Sequence, residues 1–225
     1  MSEPGRRQGE QTRQAILDAA EIVFAEHGFD GARIDTIADV SSFNKTLIFR
    51  YFGDKLGLYA AVLRRMDKQA VELQTQLLGP LLADETLTSD AHRFRAFLKT
   101  ALGAFFDYMV SHPRLMRMLI WEHAGGWHTY AKIASLFEVE GLEHLEGIFK
   151  DAQKAGLLRS DRDPFVLFLL AEQICWVFPT SLPFYQMVLP HRDFSSASAL
   201  AFAREQIIDF IIAGILVDPK DGDAE

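Results

Sequence analysis

Lys45, Thr46 and Arg50 stand within six residues of one another, with Asn44 just before them and Phe49 among them. Lysine and arginine donate to guanine O6 and N7 in the DNA major groove, and a threonine hydroxyl can serve either strand. Arg33, a little upstream, is placed to reach a phosphate. Such donors read a base sequence only from a rigid, narrow element, and residues 44–52 have the pattern of one. Asn44 is a strong N-cap, and Ile48 and Phe52 recur at helical spacing. Lys45, Thr46, Phe49 and Arg50 are left facing outward.

A helix of two turns does not fold alone, because nucleation costs more than so few hydrogen bonds return. Its apolar side therefore needs partners, and the preceding sequence supplies them. Ile16, Ala20, Val23, Phe24 and His27 fall on one face of a first helix over about residues 10–27, with Gly28 as its stop. Ile34, Ile37 and Ala38 mark a short second helix, Ser41 to Phe43 a turn, and Gly53-Asp54 a break before a long helix over about 55–78. Ile34, Ile37, Ala38, Phe43, Ile48 and Phe52 then pack against helix 1. Two short helices joined by a tight turn and backed by a third form a helix-turn-helix, which lays its last helix in the major groove.

A formal charge of −8 taken whole disfavours a nucleic-acid partner, but its distribution removes the conflict. Residues 1–66 hold nine Lys+Arg and nine Asp+Glu, and the remaining 14 against 22 carry the whole excess of acid. A local basic face is compatible with that balance.

The stretch Thr12 to Leu63 resembles the DNA-binding domain of the tetracycline-repressor (TetR) family. The likeness rests on Thr12-Arg13, Ile16-Leu17-Asp18-Ala19-Ala20, Gly28-Phe29, Ile37-Ala38 and Tyr51-Phe52-Gly53-Asp54-Lys55, in that order and spacing. It implies that Lys45, Thr46 and Arg50 lie on the exposed face of a recognition helix. It also implies that Tyr51 and Lys55 touch the DNA backbone. Four positions depart from the family pattern, one of them Arg33, which replaces a capping Ser or Thr. Ser42 stands where the interhelical turn usually has glycine, so the turn either avoids a positive φ or tolerates one at a cost. Leu47 and Phe49 replace a usual Thr and Tyr, removing two hydroxyls.

The rest of the chain also reads as helical. The 3.6-residue period persists and no strand pairs joined by hairpin dipeptides are found. Helices are expected near 90–111, 113–123, 127–155, 164–188 and 195–217, with Pro179 and Pro183 interrupting or kinking the fourth of these. The fold class is thus all-α. A helix-turn-helix domain at 1–55 leads through the connecting helix 55–78 to a helical bundle at 80–217, and 218–225 form a disordered tail.

SHPRLMRMLIWE resembles a segment frequent in TetR-family ligand domains. Helical bundles enclose small-molecule sites lined by aromatic residues with a few polar groups. Candidate contacts are Phe105, Tyr108, Met109, Trp121, His123, Trp127, Tyr130 and Trp176, with Trp121 and Trp127 flanking a Gly125-Gly126 break. Glu122, His123 and His128 straddle that break and lack the i,i+4 spacing of a zinc pair, so no metal or other cofactor is expected. No nucleophile elbow, phosphate loop or Cys/His cluster suggests an enzyme. Cys175 lies in an apolar run and reads as a core residue.

The last two helices are apolar around most of their circumference, including Ile207, Ile208, Phe210, Ile211 and Ile212. Such helices must be covered on several sides. A homodimer through these two helices satisfies that need, and the resemblance implies the same interface. Arg204, Glu205 and Asp209 argue against a membrane span, and the polar N-terminus against a signal peptide, so a cytoplasmic location is expected. The expected function is a sequence-specific transcriptional regulator, a repressor released from operator DNA by a small-molecule effector. Activation is left open. The rival reading is a helical small-molecule-binding or catalytic protein with an incidental N-terminal bundle.

Overall fold

The structure is a computed structural model that describes residues 3–137 and 140–217. The described residues form ten α-helices and one 3-10 turn, consistent with the all-α class. The helices are α1 (Glu3–Gly31), α2 (Ile34–Ser41), α3 (Lys45–Phe52), α4 (Lys55–Leu82), α5 (Ala91–Ser111), α6 (Pro113–Ala124), α7 (His128–Ile133), α8 (Glu140–Lys154), α9 (Pro164–Val188) and α10 (Ala197–Ile215). The disordered tail expected at 218–225 lies outside the described residues.

Two compact units share the chain. The first comprises Met1–Ala70 and His112–Glu138, the second Val71–Ser111 and Val139–Glu225. Segment 112–138, grouped by sequence with the second domain, therefore packs with the helix-turn-helix, chiefly as α6 against α1.

In the first unit Ile16, Ala20, Val23 and Phe24 of α1, Ile37 of α2, Ile48 of α3, and Leu58, Tyr59 and Val62 of α4 are all buried. Burying each Ile, Val, Leu or Phe among them contributes about 1.5–3 kcal/mol. Ile34, Ala38, Phe43 and Phe52 are half-buried around them. His27 does not share this core. It is exposed and lies 3.9 Å from Glu26, since the last turn of α1 leaves the apolar stripe. Phe24, Phe29 and Tyr59 form a cluster of rings, with Tyr59 edge-on to Phe24 at 4.9 Å and to Phe29 at 5.2 Å. Arg65 of α4 reaches back to α1, donating to Glu21 at 2.5 Å and Asp18 at 2.6 Å.

Gly28 does not end α1 but breaks it, with φ 65° and ψ 179°. A side chain there would be strained by its φ and would meet the Trp121 indole at 3.0 Å, so the missing Cβ is also what lets α6 sit close to α1.

The second unit is built on α5 and α9, with α8 and α10 packed beside them. Phe94, Phe97, Phe106, Phe149, Cys175, Ile208 and Ile212 form part of its core. Burial pushes the Cys175 thiol up to about 12, consistent with an inert core residue.

Other expected boundaries change too, beginning with α1, which spans Glu3–Gly31 where 10–27 was expected. The single helix expected over 127–155 is replaced by α7, the 3-10 turn Ala134–Leu136 and α8. Pro179 and Pro183 lie inside a continuous α9, where burial of Pro179 and packing against α5 outweigh the missing donors. α4 continues past the expected stop at residue 78 and carries Pro80 in its last turn.

Candidate nucleic-acid interface

The turn between α2 and α3 takes the second of its two options. Ser42 has φ 61° and ψ 22°, the left-handed conformation that a glycine adopts without steric cost. Its neighbour holds it there. The Ser41 hydroxyl donates to the Ala38 carbonyl at 3.3 Å and accepts from the Phe43 amide at 3.4 Å. Asn44 then caps α3, its Oδ1 accepting from the Leu47 amide at 2.9 Å. At the far end Gly53, with φ 79°, donates to the Phe49 carbonyl at 2.8 Å and closes the helix after two turns.

With Ile48 buried and Leu47, Tyr51 and Phe52 half-buried, α3 turns Lys45, Thr46, Phe49 and Arg50 to solvent. Asn44 is exposed at its start. These residues form one continuous outward face. Lys45 is ion-paired across the turn with Asp35 of α2, and both side chains are half exposed. An exposed pair of this kind is weak enough to open toward a phosphate or base, since such pairs contribute about 0.2–1 kcal/mol. The Arg50 guanidinium lies 5.7 Å from the centroid of the Tyr51 ring, and Arg13 of α1 lies 5.4 Å from that of Phe52. Both contacts orient a cation without neutralising it.

Arg33 and Lys55 sit differently. Arg33 occupies the N-cap position of α2 with extended backbone, makes no side-chain cap, and is exposed. Lys55 opens α4 but folds back toward the end of α1. Its Nζ donates to the Asp30 carbonyl at 3.2 Å and lies 4.7 Å from the centroid of the Phe29 ring. Burial lowers the Lys55 pKa, with Asp30 opposing the shift. Lys55 thus ties the entry of α4 to α1, a structural role that the sequence motif did not reveal. The Tyr51 side chain is half-buried, and its hydroxyl comes close to Gly9 of α1.

The eight candidate ligand contacts divide between the units. Phe105, Tyr108, Met109 and Trp176 belong to the second, where all but the half-buried Phe105 are buried. Trp121, His123, Trp127 and Tyr130 belong to the first. Trp121 donates its indole N–H to the Ala25 carbonyl at 3.3 Å, while Trp127 stands edge-on to both His123 and Tyr130 at about 6 Å. The second unit also holds an open cleft of about 390 Å³, lined by Lys99, Thr100, Asp107, Arg204 and Glu205 with apolar neighbours. None of those five was named as a ligand contact from the sequence. Arg204 donates to Asp107 at 2.8 Å and to Glu205 at 2.5 Å, so these three charges already satisfy one another.

Glu122 has a role that its sequence neighbours gave no sign of. It is buried, and its two carboxylate oxygens accept from the Tyr59 hydroxyl at 2.8 Å and from the Tyr130 amide at 2.9 Å. It joins α4, α6 and α7 within the first unit. Burial first, then the bond to Glu122 and its charge, hold the Tyr59 hydroxyl protonated well above the usual tyrosine range. No cluster of His, Cys, Asp and Glu suited to a metal occurs among the described residues.

Two domain families match the chain. Residues 16–62 match "Bacterial regulatory proteins, tetR family", and residues 95–211 match "Tetracyclin repressor-like, C-terminal domain". The chain is similar to the HTH-type transcriptional repressor SCO4008 of Streptomyces coelicolor, with 32% identity over 76% of this chain and 80% of that one. It is similar also to the HTH-type transcriptional repressor NicS of Pseudomonas putida, with 27% identity over 76% of this chain and 77% of that one. Among solved structures, the transcriptional regulator SCO4942 from Streptomyces coelicolor superposes with a TM-score of 0.64 at 25% identity, covering 91% of this chain and 98% of that one. Two domain matches in the family's own order, a relative matched over most of its length and a helix-turn-helix with an outward polar face agree: the chain belongs to the TetR family of DNA-binding transcriptional regulators and is not an enzyme.

Proposed function

We propose that the protein is a repressor that acts as a homodimer through α9 and α10 and leaves its operator when a small-molecule effector binds. The observation that carries the DNA part is the outward face of α3, where Lys45, Thr46, Phe49 and Arg50 stand together on a capped two-turn helix. In this reading Lys45 and Arg50 donate to guanine. Arg33, Asn44, Tyr51 and Lys55 meet sugar and phosphate, which position the helix without reading sequence. Lys55 keeps its contact with the end of α1 while doing so.

Exposed apolar side chains on α9 and α10 support the dimer. Phe202 and Phe210 are 69% and 73% exposed, and Met187 is 70% exposed. α9 is long and apolar enough to cross a membrane by composition alone. It packs against α5, α8 and α10, however, and it carries Glu172, so a second copy of the chain covers its open side better than lipid does. Two-fold symmetry then calls for a near-palindromic operator with half-sites about one DNA turn apart. The reading places the protein in the cytoplasm, where its DNA is.

Effector response follows if the effector binds better to the form whose recognition helices are wrongly spaced. Repression is supported by the likeness to SCO4008 and NicS, both transcriptional repressors. The test is a mobility shift on DNA from beside the protein's own gene, followed by a promoter fusion carrying that DNA. A retarded band and a promoter that strengthens when the gene is deleted are expected. A promoter that weakens instead would make the protein an activator.

A further inference from the structure

Phe49 is the one member of the outward face of α3 that can neither donate nor accept a hydrogen bond. Ile48 beside it is buried, whereas the Phe49 ring is 43% exposed. Its aromatic neighbours are engaged: Tyr51 lies under Arg50 and Phe52 under Arg13. Phe49 follows Lys45 by four residues and adjoins Arg50, and all three are exposed, so its ring shares one surface with two cations. When those cations meet a duplex, the ring is carried into the groove with them.

The edges of the base pairs in the major groove offer donors, acceptors and one apolar group, the 5-methyl of thymine. A phenyl ring placed against a donor or acceptor would strip its water and return no hydrogen bond, which is unfavourable. Against the methyl it buries apolar surface on both sides. We propose that Phe49 is a specificity-determining residue that reads thymine by its methyl group, so that each operator half-site holds a thymine beneath α3. The inference rests on the placement of α3 in the major groove proposed above.

The test replaces thymine by deoxyuridine, which removes the methyl and leaves the hydrogen-bonding edge intact. Duplexes are first selected from a random library with the full-length protein. Each thymine of the selected site is then changed in turn and the Kd measured. One position per half-site should weaken binding about fourfold, the equivalent of about 0.8 kcal/mol for one buried methyl. Phe49→Ala should bind the thymine and deoxyuridine duplexes equally while its melting temperature stays near that of the wild type. Phe49→Leu, which keeps an apolar contact, should retain part of the preference. Indifference of the wild type to every substitution, or a preference that survives in Phe49→Ala, overturns the thymine reading alone. A library that yields no enriched sequence overturns the placement of α3, and the thymine reading with it.

Discussion

α3 and α10 are both partly apolar helices, but they complete their packing differently. α3 sinks Ile48 into the first unit and shows solvent a face of which three of four members are polar. α10 buries Ile208, Ile211 and Ile212 in the second unit and still leaves Phe202 and Phe210 more than two-thirds exposed. The second unit thus keeps on α10 apolar surface that one chain does not cover. A helix stripe of this kind is the usual mark of an interface. In the proposed reading, DNA recognition and assembly rest on opposite kinds of surface, one charged and orienting, the other apolar and undirected.

The comparison breaks most sharply at Phe210. Phe210→Asp places a charge in the proposed interface at two symmetric positions. At about 1.5–3 kcal/mol of lost burial for each, dimerisation should weaken by about 3–6 kcal/mol. Light scattering should then report a monomer at micromolar concentration, with the helical circular-dichroism signal unchanged. A dimer that persists would remove α10 from the interface.

Glu172 tests how dry the second unit is. Burial alone raises its carboxyl from the ordinary 4.5 to about 7. The folded chain therefore binds more protons than the unfolded chain between those values, and stability falls as pH rises through that window. Glu172→Gln should add up to about 3 kcal/mol to unfolding stability at pH 8 and almost nothing at pH 4, as read from urea denaturation at each pH. Equal effects at both pH values would show that Glu172 is solvated.

In the first unit the polar contacts are specific, and Tyr59→Phe probes them. It removes a donor from the buried Glu122 and should cost about 1.5–3 kcal/mol in urea unfolding. A cost near zero would mean that the bond joining α4 to α6 is dispensable. The smallest effect is expected at Ser42→Gly. Relief of the left-handed strain, partly offset by a freer unfolded chain, should stabilise the protein by about 0.5 kcal/mol. A destabilised variant would show that the Ser41 and Ser42 turn needs its Cβ.

What was legible in the sequence followed from local rules. Asn44 as a cap, Gly53 as a stop and the periodic burial of Ile37 and Ile48 depend on neighbours a few residues away. The helix-turn-helix could therefore be placed almost to the residue, and the outward residues of α3 with it. Where local rules compete with packing, expectation and structure part. Pro179 and Pro183 should interrupt or kink α9, yet its packing against α5 carries the helix through both. Gly28 should end α1, yet α1 resumes after a kink on which Trp121 sits.

The sequence by itself determined the all-α class, the helix-turn-helix and the polar face of α3, because helical periodicity and capping are written in short windows. Only the tertiary structure assigned segment 112–138 to the first unit, divided the aromatic candidates between the units and joined Glu122 to Tyr59 across 63 residues of chain. The physical reason is that a buried carboxylate survives only where its hydrogen-bond donors converge, and convergence over such separations belongs to packing and leaves no local pattern. The same holds for the exposed stripe of α10. Its apolar residues are plain in the sequence, but which of them the chain itself leaves uncovered is decided only once α5 and α9 have taken the others.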